Sequence, residues 1–456
     1  MRRILRLALF AGILAVIPSL SQVSAGERVT LSPDELRLAT IVSLETGDMQ
    51  QAAAMAEALL KRNPNDHEAL LLGSRAYRNS GKPERAKALA RRAWDVSEND
   101  QQRYAAAVVM AQSLSSGGQR TRAQFWLRRA AEHAPNDRLR QSAIRDFKYV
   151  RARNPVSIHL SFGFAPKSNI NNGSANSLID LFGLPDVNLA GAALALSGVE
   201  YRSGVSLRYR LIEEAARATD LTFRASHSDY TLSSDAKALA PGAKGRDFAF
   251  AGVSVGVTQR FMQLETRREI SLSFELGKTW YGRAPYSNFS RLSIGYALPL
   301  SRRSRLSLNL MAERTRGPAA PHANLFRARA DFSRQLSNRG QLGFSLLLTQ
   351  SNSSQSSADY REAVARIAYA LPKPILGVKT SFGLGLRGRD YPSSPYLITG
   401  QRQDREIMAD MSLVFEKLEY YGFTPTLTMN ARRSESNVGL FDIENAGISL
   451  GIRSSF

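Results

Sequence analysis

The chain closes on Ala446-Gly447-Ile448-Ser449-Leu450-Gly451-Ile452-Arg453-Ser454-Ser455-Phe456. Ile448, Leu450, Ile452 and Phe456 hold one parity; Ser449, Gly451 and Arg453 hold the other. On a β-strand, alternation with period two makes one face apolar and the other polar. Outer-membrane barrels end on such a half-apolar strand with a terminal Phe, an address read by the bacterial barrel assembly machinery. Ile448, Leu450, Ile452 and Phe456 are therefore read as the assembly signal.

The same alternation recurs upstream. Val156, Ile158, Leu160, Phe162 and Phe164 alternate with Ser157, His159, Ser161 and Gly163, and Val199, Tyr201, Val205, Leu207 and Tyr209 with Glu200, Arg202, Ser206, Arg208 and Arg210. Similar stretches follow near 219–230, 247–260, 268–280, 288–300, 304–315, 325–337, 340–351, 360–371, 377–389, 404–416, 422–433 and 445–456, which makes fourteen segments in all. Length and alternation are those of tilted membrane strands, about 9–11 residues each. Connections alternate between long (165–198, 231–246, 389–403, 433–444) and short (Ser301-Arg302-Arg303, Ser337-Asn338-Arg339-Gly340, Leu371-Pro372-Lys373-Pro374). A membrane barrel needs that asymmetry, and a soluble sandwich does not. The polar parity is charged: Arg202, Arg208, Arg210, Arg329 and Arg387 with Glu275 and Asp331 are the leading lumen candidates. Charges there are tolerable facing water and costly facing lipid.

Residues 1–25 combine Arg2, Arg3 and Arg6, an apolar run from Leu7 to Leu20, and Val23-Ser24-Ala25. This pattern predicts a signal peptide cleaved after Ala25. The chain contains no cysteine, as suits an exported protein stabilised by barrel closure. Its net charge of +21 is spread over strands and turns without a basic helix, which argues against nucleic acid as a partner.

Between signal and strands, Gly47-Asp48, Gly81-Lys82 and Gly118-Gln119 recur at intervals of 34 and 37 residues. Each leading Gly is followed five residues later by Ala52, Ala86 or Ala123, small enough for two helices to approach. Further turn signals fall at Asn63-Pro64-Asn65-Asp66, Ser97-Glu98-Asn99-Asp100 and Ala134-Pro135-Asn136-Asp137. The period resembles tetratricopeptide repeats, three of them, with a capping helix from Arg138 to about Val150. Such arrays form grooves for extended peptides. Tyr77, Trp94, Tyr104, Phe125 and Trp126 are the candidate client anchors, and filling helix–helix interfaces is the alternative for the same rings. The expected organisation is a signal peptide (1–25), a periplasmic α-solenoid (26–150) and an outer-membrane β-barrel (155–456).

No residues assemble into a catalytic constellation. Ser157, His159 and Ser161 share a face, but strand neighbours two apart do not present triad geometry. No cluster has metal-ligand spacing, and no cofactor is expected.

The segment Ser161-Phe162-Gly163-Phe164-Ala165-Pro166-Lys167-Ser168-Asn169-Ile170-Asn171-Asn172 resembles the entry motif of the surface lipoprotein assembly modulators, with Asn169 and Asn171 at its centre. The resemblance extends over the whole mature chain. It implies a fourteen-stranded barrel behind a tetratricopeptide-like domain. It further implies translocation of a client, a surface lipoprotein or a secreted iron- or haem-binding protein, across the outer membrane. Expected partners are that client, the barrel assembly machinery, periplasmic chaperones and the lipid bilayer, the chain itself being a monomer. A polysaccharide export porin with a docking domain, or a structural porin, are the competing readings. Loop 165–198 is open between a plug folded inward and a surface loop.

Overall fold

The computed structural model describes residues 30–182 and 184–454. The signal peptide and Phe456 of the assembly signal lie outside the described residues. Seven helices come first: α1 (Pro33–Thr46), α2 (Met49–Arg62), α3 (His67–Asn79), α4 (Pro83–Asp95), α5 (Asp100–Ser116), α6 (Arg120–Glu132) and α7 (Asp137–Arg153). They stack as three antiparallel pairs and a cap. Gly47, Gly81 and Gly118 each take a left-handed backbone (φ 91°, 74° and 76°), which lets the chain reverse between paired helices. Asp66, Asn99 and Asn136 cap α3, α5 and α7 by accepting from the N–H three residues on. Ala52, Ala86 and Ala123 are wholly buried where the helices approach closest.

The strands are β1 (Val156–Lys167), β2 (Leu178–Leu181), β3 (Leu184–Asn188), β4 (Gly198–Glu213), β5 (Arg217–Leu232), β6 (Phe250–Gln263), β7 (Arg268–Tyr281) and β8 (Ala284–Ser301), then β9 (Ser304–Arg316), β10 (Ala323–Gln335), β11 (Gln341–Ser353), β12 (Tyr360–Ala370), β13 (Val378–Tyr391), β14 (Arg402–Phe415), β15 (Phe423–Ser436) and β16 (Ile443–Ser454). β2 and β3 form a separate hairpin; the other fourteen close into one antiparallel barrel, β1 meeting both β4 and β16. The fourteen strands fall where the alternation of the sequence puts them.

One parity carries the exposed apolar side chains, among them Leu160 and Phe162 on β1, Leu272 and Phe274 on β7, and Leu450 and Ile452 on β16. That parity faces lipid; closing the sheet on itself is what lets strands cross hydrocarbon without an open edge. The connection between β7 and β8 departs from the long–short expectation. It is the two-residue turn Gly282-Arg283, both at positive φ (54° and 68°), on the otherwise long-looped side.

Candidate functional site: the array junction, the barrel interior and the outer rim

The array is held to the barrel on two sides of the foot of β16. On one side α7 runs into β1 through Asn154, whose Nδ2 donates to Thr121 Oγ1 at 2.9 Å. On the other, the turn 416–422 between β14 and β15 rests on α6 and α7. Arg128 Nη1 donates to Tyr421 O (3.0 Å) and Gly422 O (2.8 Å), and its guanidinium lies between the rings of Phe147 and Phe423. Arg140 Nη2 donates to Glu419 Oε2 at 2.7 Å, and Tyr421 N–H donates to Glu132 Oε2 at 3.1 Å. Burial pushes the Tyr421 phenol above its ordinary pKa, while His133 stacks edge-on against its ring. This junction was not legible in the sequence. Its one visible sign is the pair Tyr420-Tyr421 in a short turn, where aromatic bulk is unusual.

Four of the five candidate anchors are placed between helices. Tyr77 and Trp126 are buried, with Tyr77 OH donating to Glu57 Oε1 and Trp126 edge-on to Trp94 at 5.1 Å. Trp94 and Tyr104 are half-buried, and Tyr104 OH donates to Leu139 O at 3.3 Å. Aromatic area is the chief source of burial in an alanine-rich array, so these rings hold the helices together. The fifth candidate, Phe125 on α6, is 54% exposed, and Leu38 and Val42 on α1 and Tyr149 on α7 are exposed as well.

The polar parity of the strands is cross-linked by ion pairs. Asp220 on β5 is fully buried (0% exposed) and collects Arg210 Nε (2.7 Å), Arg260 Nη2 (3.1 Å) and Arg208 Nη1 (3.9 Å). Glu275 on β7 accepts from Arg224 and Arg291 (3.0 Å each), and Arg291 continues to Glu313 at 2.6 Å. Arg387 reaches Glu406 at 2.5 Å, Arg366 Nη2 donates to both oxygens of Asp410 (2.7 and 2.8 Å), and Arg202 meets Glu200 at 3.2 Å. Arg329 pairs with Asp331, its neighbour on the same face of β10, at 2.7 Å. The candidate residues thus fall into separate clusters around the wall. Asp220 and Glu406, the buried hubs of two clusters, are missing from the sequence candidates although both lie on the polar parity. Burial, which made them hubs, has no signature in alternation alone.

Removing the Asp220 charge takes the central carboxylate from three guanidinium groups and leaves Arg210 with Glu213 (3.1 Å) and Arg260 with Glu269 (3.9 Å). Asp220→Asn should lower the temperature at which the barrel loses its compact electrophoretic form, a loss of about 1.5–3 kcal/mol for the charged hydrogen bonds. Asp331→Asn, half-exposed with a single partner, should change it little.

At the outer rim the Asn-Ile-Asn segment works as a clasp. Asn169 is 1% exposed; its Oδ1 accepts from Gly173 N–H (3.1 Å), its Nδ2 donates to Gly173 O (2.8 Å), and its carbonyl accepts from Asn445 of β16. Asn171 Nδ2 donates to Ala192 O and Leu194 O (2.8 Å each), and its Oδ1 accepts from Leu196 N–H at 2.9 Å. A Cβ on Gly173 would sit 2.2 Å from Leu194 O, so only glycine allows this approach. Ile170 and Leu196 pack with Leu232, Ala236 and Ala240 in a small core above the rim. From there the β2–β3 hairpin leans over its neighbours, Ile179 against Gly439 and Phe182 against Tyr396. The first outer loop is therefore tied to the loops beside it. Asn171→Ala should raise the rate of proteolytic cutting between 178 and 197 at least tenfold and leave the barrel compact, because three backbone groups of the loop, two of them in part-buried bonds, lose their side-chain partner.

A closed barrel with an apolar belt outside and ion pairs within, joined to a helical array at its short-turn end, is an outer-membrane protein with a periplasmic domain. The chain belongs to the family of surface lipoprotein assembly modifiers, whose model matches residues 157–456. A tetratricopeptide repeat model matches residues 43–109. No functionally curated protein matches the chain. Among solved structures, OpdQ of Pseudomonas aeruginosa is similar at 10% identity, covering 65% of this chain and 96% of that one with a TM-score of 0.31. OccAB3 of Acinetobacter baumannii matches at 9% identity over 65% and 98%, TM-score 0.34. A bacterial polysaccharide outer-membrane secretin matches at 8% over 64% and 98%, TM-score 0.33.

Proposed function

We propose that this chain takes a client polypeptide from the periplasm and passes it across the outer membrane, the client being a surface lipoprotein or a secreted iron- or haem-binding protein first held on the helical array. One observation carries the reading. A barrel of the surface lipoprotein assembly modifier family has its repeat array fastened to the barrel foot by Arg128 and Arg140. A groove for extended peptides is useful to a barrel when the two are held in register, and a tether alone would not achieve that. Leu38, Val42 and Phe125 supply apolar bearing surface for an unfolded client. Periplasmic chaperones would keep the client unfolded, and the barrel assembly machinery would insert the barrel, which works as a monomer.

The test is deletion of the chain from its host, followed by labelling of intact cells with a membrane-impermeant biotin reagent. At least one lipoprotein or secreted protein should lose its label, or its place in the medium, while its total amount in the cell is retained. An unchanged surface and secreted complement would refute the proposal.

A further inference from the structure

The apolar belt on the lipid side of the wall is interrupted between β9 and β15. Residues opposed across an antiparallel ladder share a face, so a row of partners can be followed around the barrel. Leu310, Ala328, Leu348, Ala363, Gly388 and Arg405 are successive partners from β9 to β14. Leu310 is 60% exposed on the apolar belt, so Arg405 at the other end of its row also faces outward. One row nearer the outer rim, Ala312, Phe326 and Gln350 lead to Arg361 and Asp390. One row below, Leu346, Ala365, Leu386 and Ile407 lead to Arg433.

The outer surface sinks where Ala328, Ala363 and Gly388 take the place of large side chains. Two grooves open there and share Ala363 and Gly388. One, of about 730 Å³, is walled by Leu310, Phe326 and Leu348 and headed by Arg361. The other, of about 570 Å³, is walled by Leu346, Leu386 and Ile407 and headed by Arg405 and Arg433.

Charge separates these arginines from those of the interior. Arg202, Arg291, Arg366 and Arg387 inside the barrel each meet a carboxylate at 3.2 Å or less. Among the described residues, Arg361 and Arg405 form no ion pair. Arg361 Nε donates to the neutral Gln350 Oε1 at 2.9 Å, and Arg433 engages Glu435 (3.1 Å) and Glu444 (3.6 Å). Guanidinium groups beside hydrocarbon without a carboxylate call for an anion from the membrane itself. The array marks the opposite end of the barrel as periplasmic, so these groups stand at the outer leaflet.

We infer that the double groove is a binding site for a phosphorylated glycolipid of the outer leaflet, with acyl chains along Leu348 and Leu386 and phosphates on Arg361 and Arg405. Two apolar channels suit a lipid with several chains and are wasted on a free anion. Arg361 and Arg405 lie two strands apart, about 10 Å across the sheet, which suits a headgroup carrying a phosphate at each end. A guanidinium grips a phosphate through two parallel N–H bonds, which an ammonium cannot do. Asp390, opposite Arg361, works against the phosphate. The inference is independent of the translocator reading, since it concerns the outer wall and not the passage.

The test is native mass spectrometry of the full-length protein titrated with bisphosphorylated lipid A, its dephosphorylated form, phosphatidylglycerol and inorganic phosphate. Bisphosphorylated lipid A should bind at least tenfold more tightly than either other lipid, and inorganic phosphate should not displace it. Arg361→Gln with Arg405→Gln should cut that affinity at least tenfold, with heat-shifted gel mobility showing a compact barrel. Gly388→Phe keeps both arginines and fills the shared floor, because a Cβ there meets nothing within 4 Å. It should weaken binding at least fivefold, whereas Asp390→Asn should tighten it. Arg334→Gln, on the same face of β10 near its periplasmic end, should change nothing. Unchanged affinity in the double arginine variant, or equal binding of the dephosphorylated lipid, would overturn the site. Displacement by inorganic phosphate, or equal binding of phosphatidylglycerol, would overturn the choice of a glycolipid.

Discussion

Leu450→Asp combined with Ile452→Asp should abolish insertion, leaving no compact, outer-membrane-localised protein. Both side chains stand on the lipid-facing parity of β16, 51% and 56% exposed on the barrel's outer surface. A charge on that face costs roughly 2–4 kcal/mol near the midplane for a basic residue and somewhat less for an acidic one. Two together remove a large share of the stability of an ordinary domain, about 5–15 kcal/mol. They also sit in the last strand, which must pair with β15 and meet β1 before the barrel can close. Ser449→Asp, one residue away on the polar parity, should insert normally. Membrane fractionation and heat-shifted gel mobility read both outcomes, and normal insertion of the double variant would mean that this face does not meet lipid.

The contrast between Leu450 and Ser449 is also why the fold was so legible. Burial in lipid imposes a period of two on every strand at once, and fourteen repeats of a weak pattern make a strong one. The helical array was equally open to reading, because Gly47, Gly81 and Gly118 are forced by backbone geometry, and Ala52, Ala86 and Ala123 by helix approach. Such constraints act on single residues and leave a mark at each.

The site was less legible because its constraints act on pairs distant in sequence. Arg128 and Tyr421 lie 293 residues apart in sequence, and nothing local to either announces the other. Trp126 shows the complementary difficulty. An aromatic side chain on a repeat helix satisfies a groove or an interface equally well by pattern, and only packing against Trp94 and Ala130 decides which side it occupies. The Asn169–Asn171 segment stood out by composition, yet its use as a clasp on Gly173 and Asn445 depends on a loop closing over many residues.

Removing the array should leave a barrel that inserts and exports nothing. A chain carrying its signal peptide directly before residue 152 keeps every strand and every β1–β4 and β15–β16 partner. Repeat arrays and closed barrels each have their own contacts, so the barrel should still reach its compact form. Surface labelling of dependent lipoproteins should drop to the level of the full deletion. Truncation alone does not separate capture from positioning, and a charge reversal does. Arg140→Glu with Arg128→Glu keeps the array covalently joined through α7 but sets two carboxylates against Glu419 and against the carbonyls of Tyr421 and Gly422. Each charged hydrogen bond lost is worth about 1.5–3 kcal/mol. With at least one such bond lost at each arginine, the docking equilibrium should shift by about two to four orders of magnitude, at 1.4 kcal/mol per decade. Surface labelling should fall at least fivefold. Arg140→Glu alone should show a smaller loss that Glu419→Arg restores, since the pair is then rebuilt with its polarity exchanged. Full export by the double reversal, with the array shown to be folded and undocked, would mean that a flexible tether suffices. The fastening of α6 and α7 to the barrel foot would then be structural only.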